Sequence, residues 1–432
     1  MSHSHPSATL GIPLRTGLAR ITFLAGILAL ALPVAFLSAR AWIAEHWASS
    51  ADPALWGKAA RLEPENADDW RLLGLYEQWR LGDQGVEQAI GCLQRAVRID
   101  PRSATLWMDL AGAYEASGDD ARAGESYREA QAAYPLSAEV AWRYGSFLLY
   151  QGRFSQGDAQ MQRALLIEPS LAPSAIAECW QTNPDIGELL DRALPAQPPY
   201  YLAAVNFFLS QNQLDPALAV WRRELALGMP VGMSQAVPLV DALIRQNRLM
   251  EARQSWQQAL RASGWPRDRG HGSSLVFNGG FEHQIVNGGF GWREVPAAGV
   301  RYARDCVVTH SGSHSLRVDF GGSANLDFQN VLQLVAVQPR TRYHFSAWLR
   351  TKGISTDHGI RFQIFDPQHE SEVQFLTPNM IGTNPWTLVQ GDFTTGKDTR
   401  LLEAALRRIF SWKFDNKIRG TAWVDDVALS AK

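Results

Sequence analysis

The sequence predicts a multidomain α and β protein: an N-terminal transmembrane helix, a stack of α-helical hairpins and a C-terminal antiparallel β-sandwich. Three observations carry this. Ile21–Ala39 is a run without a charged residue. Pro101, Pro135 and Pro169 recur at a fixed interval of thirty-four residues. Beyond Ser274 the apolar period changes from helical to alternating.

The apolar run is nineteen residues long, and at about 1.5 Å per residue it crosses a hydrocarbon core of about 30 Å. Arg15 and Arg20 precede it and Arg40, with Glu45 nearby, follows it, so the N-terminus is expected to stay cytoplasmic. This gives a cytoplasmic tail over 1–16 and an anchor over 17–40, with the rest exported. The alternative is a cleaved signal and a soluble periplasmic product, since Ala39-Arg40-Ala41 resembles a small-x-small site. The balance of 41 basic and 43 acidic residues offers no basic field to nucleic acid. Cys92, Cys179 and Cys306 are odd in number and far apart, which defines neither a disulfide framework nor a metal spacing. They are expected to pack as small apolar residues.

The helical repeats occupy 51–263. Ala96, Ala130 and Ala164 each precede a repeating Pro by five residues, and Leu93, Tyr127 and Met161 form another register. Such a period means hairpins that bury their apolar faces against their neighbours. Trp107, Leu110, Ala111, Tyr114, Ala123, Tyr127, Ala130 and Pro135 resemble the full signature of the tetratricopeptide (TPR) family. The repeat before it has Trp70, Leu73, Gly74, Ala89, Leu93, Ala96 and Pro101, with a turn lengthened around Gly82–Gly85. The repeat after it has Ala141, Tyr144, Gly145, Leu148, Gly157, Met161, Ala164 and Pro169. Beyond Pro169 the pattern decays. A second pair then recurs at thirty-five: Ala217 and Ala252, Trp221 and Trp256, Leu225 and Leu260. The resemblance implies a groove that recruits a protein partner, lined at positions that include Arg71, Met108, Glu139 and Trp142. For Trp142 two readings stand: an anchor for the partner, or a ring covered by the superhelix itself.

Gly, Pro, Ser, Arg and His cluster in a linker, 264–273, before the sandwich at 274–432. In Tyr343–Arg350 the alternation places Tyr343, Phe345, Ala347 and Leu349 inward and His344, Trp348 and Arg350 outward. Arg361–Asp366 alternates too, with Phe362 and Ile364 inward and Arg361 and Gln363 outward. Asn278-Gly279-Gly280-Phe281-Glu282, Gly291-Trp292, His310–Leu316, the Tyr343–Arg350 strand and Trp423-Val424-Asp425-Asp426-Val427 together resemble CenC-like carbohydrate-binding modules, which are galactose-binding-like jelly-rolls. The resemblance implies a structural calcium held by Glu282 and Asp425, a carboxylate pair with the hard oxygens this ion takes. No other cofactor is expected.

The outward residues Trp348, Arg350 and His344, together with Arg361 and Gln363, form a candidate sugar platform. Apolar rings match pyranose C–H faces, and aimed polar groups match hydroxyls. Trp292, Trp386 and Trp412 are further candidates. For each Trp the competing reading is core or inter-sheet packing. Neither a phosphate loop nor a His-Glu-x-x-His motif occurs. Paired carboxylates for glycoside hydrolysis must sit across a substrate cleft, and the helical half offers solvent-facing acids and no sign of a barrel. The expectation is a non-enzymatic, single-pass scaffold of a bacterial inner membrane, with its bulk in the periplasm. It would recruit a protein and contact a polysaccharide in envelope or exopolysaccharide assembly. The rivals are a purely structural protein–protein adaptor and an accessory subunit of a separate polysaccharide-active enzyme.

Overall fold

The first helix, α1 (Gly17–Ala48), carries no charged residue between Arg20 and Arg40 and is long and apolar enough to cross a membrane. It belongs to a computed structural model that describes residues 17–79, 83–265 and 274–432. The expected tail 1–16, residues 80–82 and 266–273 of the expected linker lie outside the described residues; of the turn expected around Gly82–Gly85, the part from Asp83 on is already helical. The helix runs past Arg40, where the anchor was expected to end. There Arg40 Nε meets Glu63 Oε1 at 2.6 Å.

Next come α2 (Pro53–Leu62), α3 (Ala67–Trp79), α4 (Asp83–Ile99), α5 (Ala104–Ala116), α6 (Asp120–Ala133), α7 (Ala138–Tyr150) and α8 (Phe154–Ile167). Helices α3 with α4, α5 with α6, and α7 with α8 are antiparallel hairpins in direct contact. The thirty-four-residue repeat is visible in their ends. Ser103 and Ser137, each two residues after a repeating Pro, cap α5 and α7 by accepting the N–H groups of Leu106 and Val140. The Nε1 groups of Trp70 and Trp107 donate to the carbonyls of Pro64 and Pro101, each six residues upstream. Gly118 and Gly152 follow α5 and α7 at φ of 75° and 70°, the left-handed turn that glycine adopts without penalty. Ala89, Leu93, Ala96, Ala123, Ala130, Met161 and Ala164 are fully buried, as the registers predict.

After α8 the template loosens into α9 (Ala172–Thr182), the short α10 (Ile186–Glu188) and an irregular helical turn to Ala193. Of the cysteines, Cys179 is buried and Cys92 half-buried, whereas Cys306 is exposed, so the packing expectation fails at Cys306.

The chain divides into two compact units, Met1–Ala193 and Leu194–Lys432. The expected repeat span, 51–263, crosses this division. The second unit opens with α11 (Pro198–Ser210), α12 (Leu214–Ala226), α13 (Met233–Arg245) and α14 (Leu249–Ala262). Asn212 and Asn247, both at φ 56°, repeat the left-handed turn of the first unit's hairpins.

The sandwich follows in the same unit. Its strands are β1 (Trp292–Glu294), β2 (Val300–Asp305), β3 (Ser315–Gly321), β4 (Phe328–Ala336), β5 (Arg342–Ile354), β6 (Arg361–Phe365), β7 (Gln374–Leu376), β8 (Gly382–Thr394), β9 (Leu401–Arg408) and β10 (Arg419–Ala431). They form two five-stranded antiparallel sheets, ordered β1-β4-β9-β6-β7 and β2-β3-β10-β5-β8. Trp292, Phe281, Phe328, Phe345 and Phe362 fill the core between them. The inward sets expected in β5 and β6 are all buried.

The helices and the sandwich of this unit share a joint. The Trp256 ring of α14 packs edge-on against Phe277 and Phe290, at 5.3 and 6.2 Å between centroids. Beneath it Gly289 stands at φ 57°, and a Cβ there would lie 2.5 Å from the ring, so any side chain would push the helix off.

Candidate functional site

Each sheet of the sandwich has an outer face, and the five expected glycan residues divide between the two. His344, Trp348 and Arg350 lie on β5, and Arg361 and Gln363 on β6 of the other sheet. The structure therefore does not bring the five together as one platform. The alternation gave each residue's side of its own strand correctly, but pairing of β5 with β10 and β8, and of β6 with β9 and β7, sets them on opposite sheets.

On the β5 face the side chains are engaged with one another. Trp348 stacks on His310 at 3.8 Å with planes 17° apart, and Trp386 meets the same imidazole edge-on at 5.7 Å. His310 Nδ1 lies 2.6 Å from Asp426 Oδ2. His344 Nδ1 lies 2.7 Å from Asp392 Oδ1, and Arg342 and Lys432 converge on the same carboxylate. Those donors hold Asp392 well below the usual carboxylate range, Lys432 first among them. The Arg350 guanidinium lies over the Trp423 ring at 5.7 Å.

The β6 face is built from rows of outward residues. Arg293, Leu332, Ala405, Gln363 and Leu376 are successive register partners straight across all five strands. Beside this row stand Arg407 opposite Arg361, and Glu403 opposite Phe365. Arg407 Nε donates to Gln363 Oε1 at 3.0 Å and its Nη1 to Asp327 Oδ1 at 2.5 Å. Gln329 Nε2 donates to Glu403 Oε1 at 2.6 Å. Burial pushes the Glu403 carboxyl up. Burial, and then repulsion from Arg407, pushes Arg361 down, and Arg361 has no ion-pair partner among the described residues. Arg407, Glu403, Gln329 and Arg293 were missed from sequence, although the strand alternation of Leu401–Arg408 points Glu403 and Arg407 outward.

The other aromatic candidates separate cleanly. Trp292 is core, at 1% exposure, with Nε1 donating to the Asn278 carbonyl. Trp412 is 88% exposed, on the loop after β9. Buried Arg408 holds that loop by donating to the carbonyls of Leu326 and Asn416 and to Asn325 Oδ1.

The two expected calcium ligands lie at opposite sides of the 310–314 turn. Glu282 Oε1 accepts the N–H groups of Ser313 and His314 at 2.8 and 3.1 Å, and these contacts help hold its carboxyl low against the opposing effect of burial. Asp425 Oδ2 accepts the N–H groups of His310 and Ser311 at 2.8 and 3.2 Å. Burial pushes Asp425 up to about 6. A Cβ built on Gly280 would lie 3.8 Å from Asp425 Oδ1, 3.7 Å from Asp426 Oδ1 and 3.9 Å from Glu282 Cγ, so the three acids gather around one glycine. Hard oxygens gathered in this way suit an oxygen-seeking cation. Among the described residues no group of three His, Cys, Asp or Glu side chains is arranged to hold a metal by itself.

In the helical stack the four expected groove residues differ. Trp142 is half-buried, and exposed Glu139 pairs with Arg143 at 2.9 Å. Arg71 Nε meets Asp109 Oδ2 at 2.5 Å. Met108 is a correction: it is 4% exposed and belongs to the apolar core, because α5 is packed by α4, α6, α3 and α7.

Residues 273–405 match the family model described as a carbohydrate binding domain. No curated protein matches the chain significantly. A solved structure described as "CBM4 structure and function" is 15% identical, covering 36% of this chain and 99% of its own, with a TM-score of 0.28. One described as "Functional Characterization of Pseudomonas Aeruginosa pilF" is 23% identical, covering 48% of this chain and 80% of its own, with a TM-score of 0.25. The TPR protein YrrB is 12% identical, covering 49% of this chain and 93% of its own, with a TM-score of 0.27. At these scores the fold rests on the helix and strand order itself.

Proposed function

We propose that this chain is a tethered, non-catalytic scaffold whose sandwich holds a glycan on the β6 face while its helical hairpins recruit a protein. The observation that carries the reading is Arg361. It is a guanidinium without an ion-pair partner among the described residues, beside the Arg407–Gln363 pair, in the segment matched as a carbohydrate binding domain. Planar forks and amides in fixed positions suit hydroxyl and carboxylate recognition, and half-buried Phe365 and exposed Leu376 add apolar surface for sugar C–H groups. The β5 face is proposed as structural, since its aromatic and ionic groups already satisfy one another.

Glu282 and Asp425, with backbone oxygens nearby, are proposed to hold a structural calcium. When bound, that ion would neutralise the acids gathered at Gly280 and pin the 310–314 turn to β10. Trp142 is the proposed anchor of the protein partner, and α1 the proposed membrane tether. The proposed setting is envelope or exopolysaccharide assembly on the exported side of a bacterial inner membrane.

The test is glycan-array and calorimetric binding by the detergent-solubilised full chain. Binding is expected, and Arg361→Ala is expected to weaken it roughly ten- to hundredfold with the melting temperature retained. An unmodified chain that binds no glycan overturns the reading, as does an Arg361→Ala chain that binds equally well.

A further inference from the structure

Arg293 stands at the β1 end of the same outward row as Gln363. The two are three inter-strand gaps apart, about 14 Å at the usual sheet spacing. Its guanidinium is only partly used. Nη2 donates to Asp241 Oδ1 of α13 at 2.7 Å and to the Gly289 carbonyl at 2.8 Å. Nη1 is buried and has no hydrogen-bond partner among the described residues. A buried donor left without an acceptor costs free energy that a ligand oxygen would recover.

The group that aims Arg293 comes from outside the sandwich. Asp241 Oδ1 also accepts the Gly289 N–H at 2.8 Å, next to the point where Trp256 lies on that glycine. One carboxylate thus fixes both the guanidinium and the loop that carries it. Toward the other edge stand Arg407 and Arg361, and among the described residues only Arg407 of the two has a carboxylate partner, Asp327. Burial pushes the nearby Glu403 carboxyl up, while Gln329 and the charge of Arg293 pull the other way.

We infer that Arg293, positioned by Asp241 of α13, is a second carboxylate-reading residue on this face. The helical pair α13 and α14 is then part of the binding site, and the preferred ligand is an acidic, uronate-bearing glycan. The inference rests on the β6 face being the glycan site. Arg293, its side chain 19% exposed, supplies a guanidinium with one donor unused among the described residues at the far edge of the row, and Arg361 supplies one without an ion-pair partner among them at the near one. A chain of sugars lying across the strands would meet both, and acidic sugars gain a charge-assisted bond that neutral ones do not.

The experiment compares binding of oligogalacturonate and of a cello-oligosaccharide of equal length by the full chain. The unmodified protein is expected to prefer the acidic probe. Arg293→Gln should weaken oligogalacturonate binding about tenfold and the neutral probe by a clearly smaller factor. Asp241→Asn should shift selectivity the same way by a smaller factor. Arg293→Lys, which keeps the charge but not the fork, should recover only part of the loss. Arg293→Gln binding oligogalacturonate as tightly as the parent overturns the inference, as does equal loss of both probes with a lowered melting temperature. An unmodified chain that binds the neutral probe without preferring the acidic one overturns it while leaving the glycan face standing. A chain that binds neither probe removes both.

Discussion

The two outer faces of the sandwich carry similar residues and use them oppositely. Each has arginines, a carboxylate and apolar side chains set on strands by the same two-residue period. On the β5 face His310 lies against Trp348, and Asp392 gathers Arg342, Lys432 and the His344 imidazole, so the chemistry is spent within the protein. On the β6 face Arg361 and the Nη1 of Arg293 are left over among the described residues. Facing outward is therefore not the same as being available. Availability depends on what the loops and neighbouring elements deliver to a face.

The sharpest way to break this contrast is Trp348→Ala. If the ring is structural, the chain should lose about 2 kcal/mol through the lost stack and packing, read by denaturant or thermal melting. Glycan binding should stay within error of the parent. Selective loss of binding with unchanged stability would reverse the roles of the two faces.

A second measurement probes what holds the His310 turn beneath Trp348. Asp425 titrates near 6 in the folded chain, above the ordinary carboxylate value. Without a cation, its protonated form favours folding below about pH 4, and that contribution is lost as pH rises through about 6. A cation that needs the ionised form works in the opposite direction. The rise in melting temperature on adding millimolar calcium should therefore be larger at pH 7.5 than at pH 5, and absent in Glu282→Ala. No calcium response at either pH would leave the turn held by hydrogen bonds alone.

The smallest expected effect is at Gln363. Its amide already accepts from Arg407, so Gln363→Ala should weaken glycan binding only a few-fold and leave stability within about 0.5 kcal/mol. A loss as large as that of Arg361→Ala would make the amide, rather than the unpaired guanidinium, the centre of the site.

Much of the architecture is legible in the sequence because its periods are rigid. The thirty-four-residue interval fixes Ser103 and Ser137 as caps and Gly118 and Gly152 as left-handed turns, and every small residue of the register is buried. The alternation in β5 and β6 sorts inward from outward residues without error. What alternation cannot encode is which strands share a sheet, so Arg361 and Gln363 were grouped with Trp348. Nor does the groove pattern report that α5 is packed on several sides, which buries Met108. The Arg293–Asp241 pair joins residues fifty-two apart on a helix and a strand, and no local period marks such a contact.

The lodging of Trp256 on Gly289 bears on how this protein can be cut. The composition changes near Ser274, which invites excision of the β-module there. A piece starting at that point would lose the indole that covers Phe277 and Phe290 and the carboxylate that answers Arg293. It would offer solvent an aromatic patch and a stranded cation, a recipe for self-association in the test tube. A cut at Leu194 follows the seam between the compact units and keeps that surface closed.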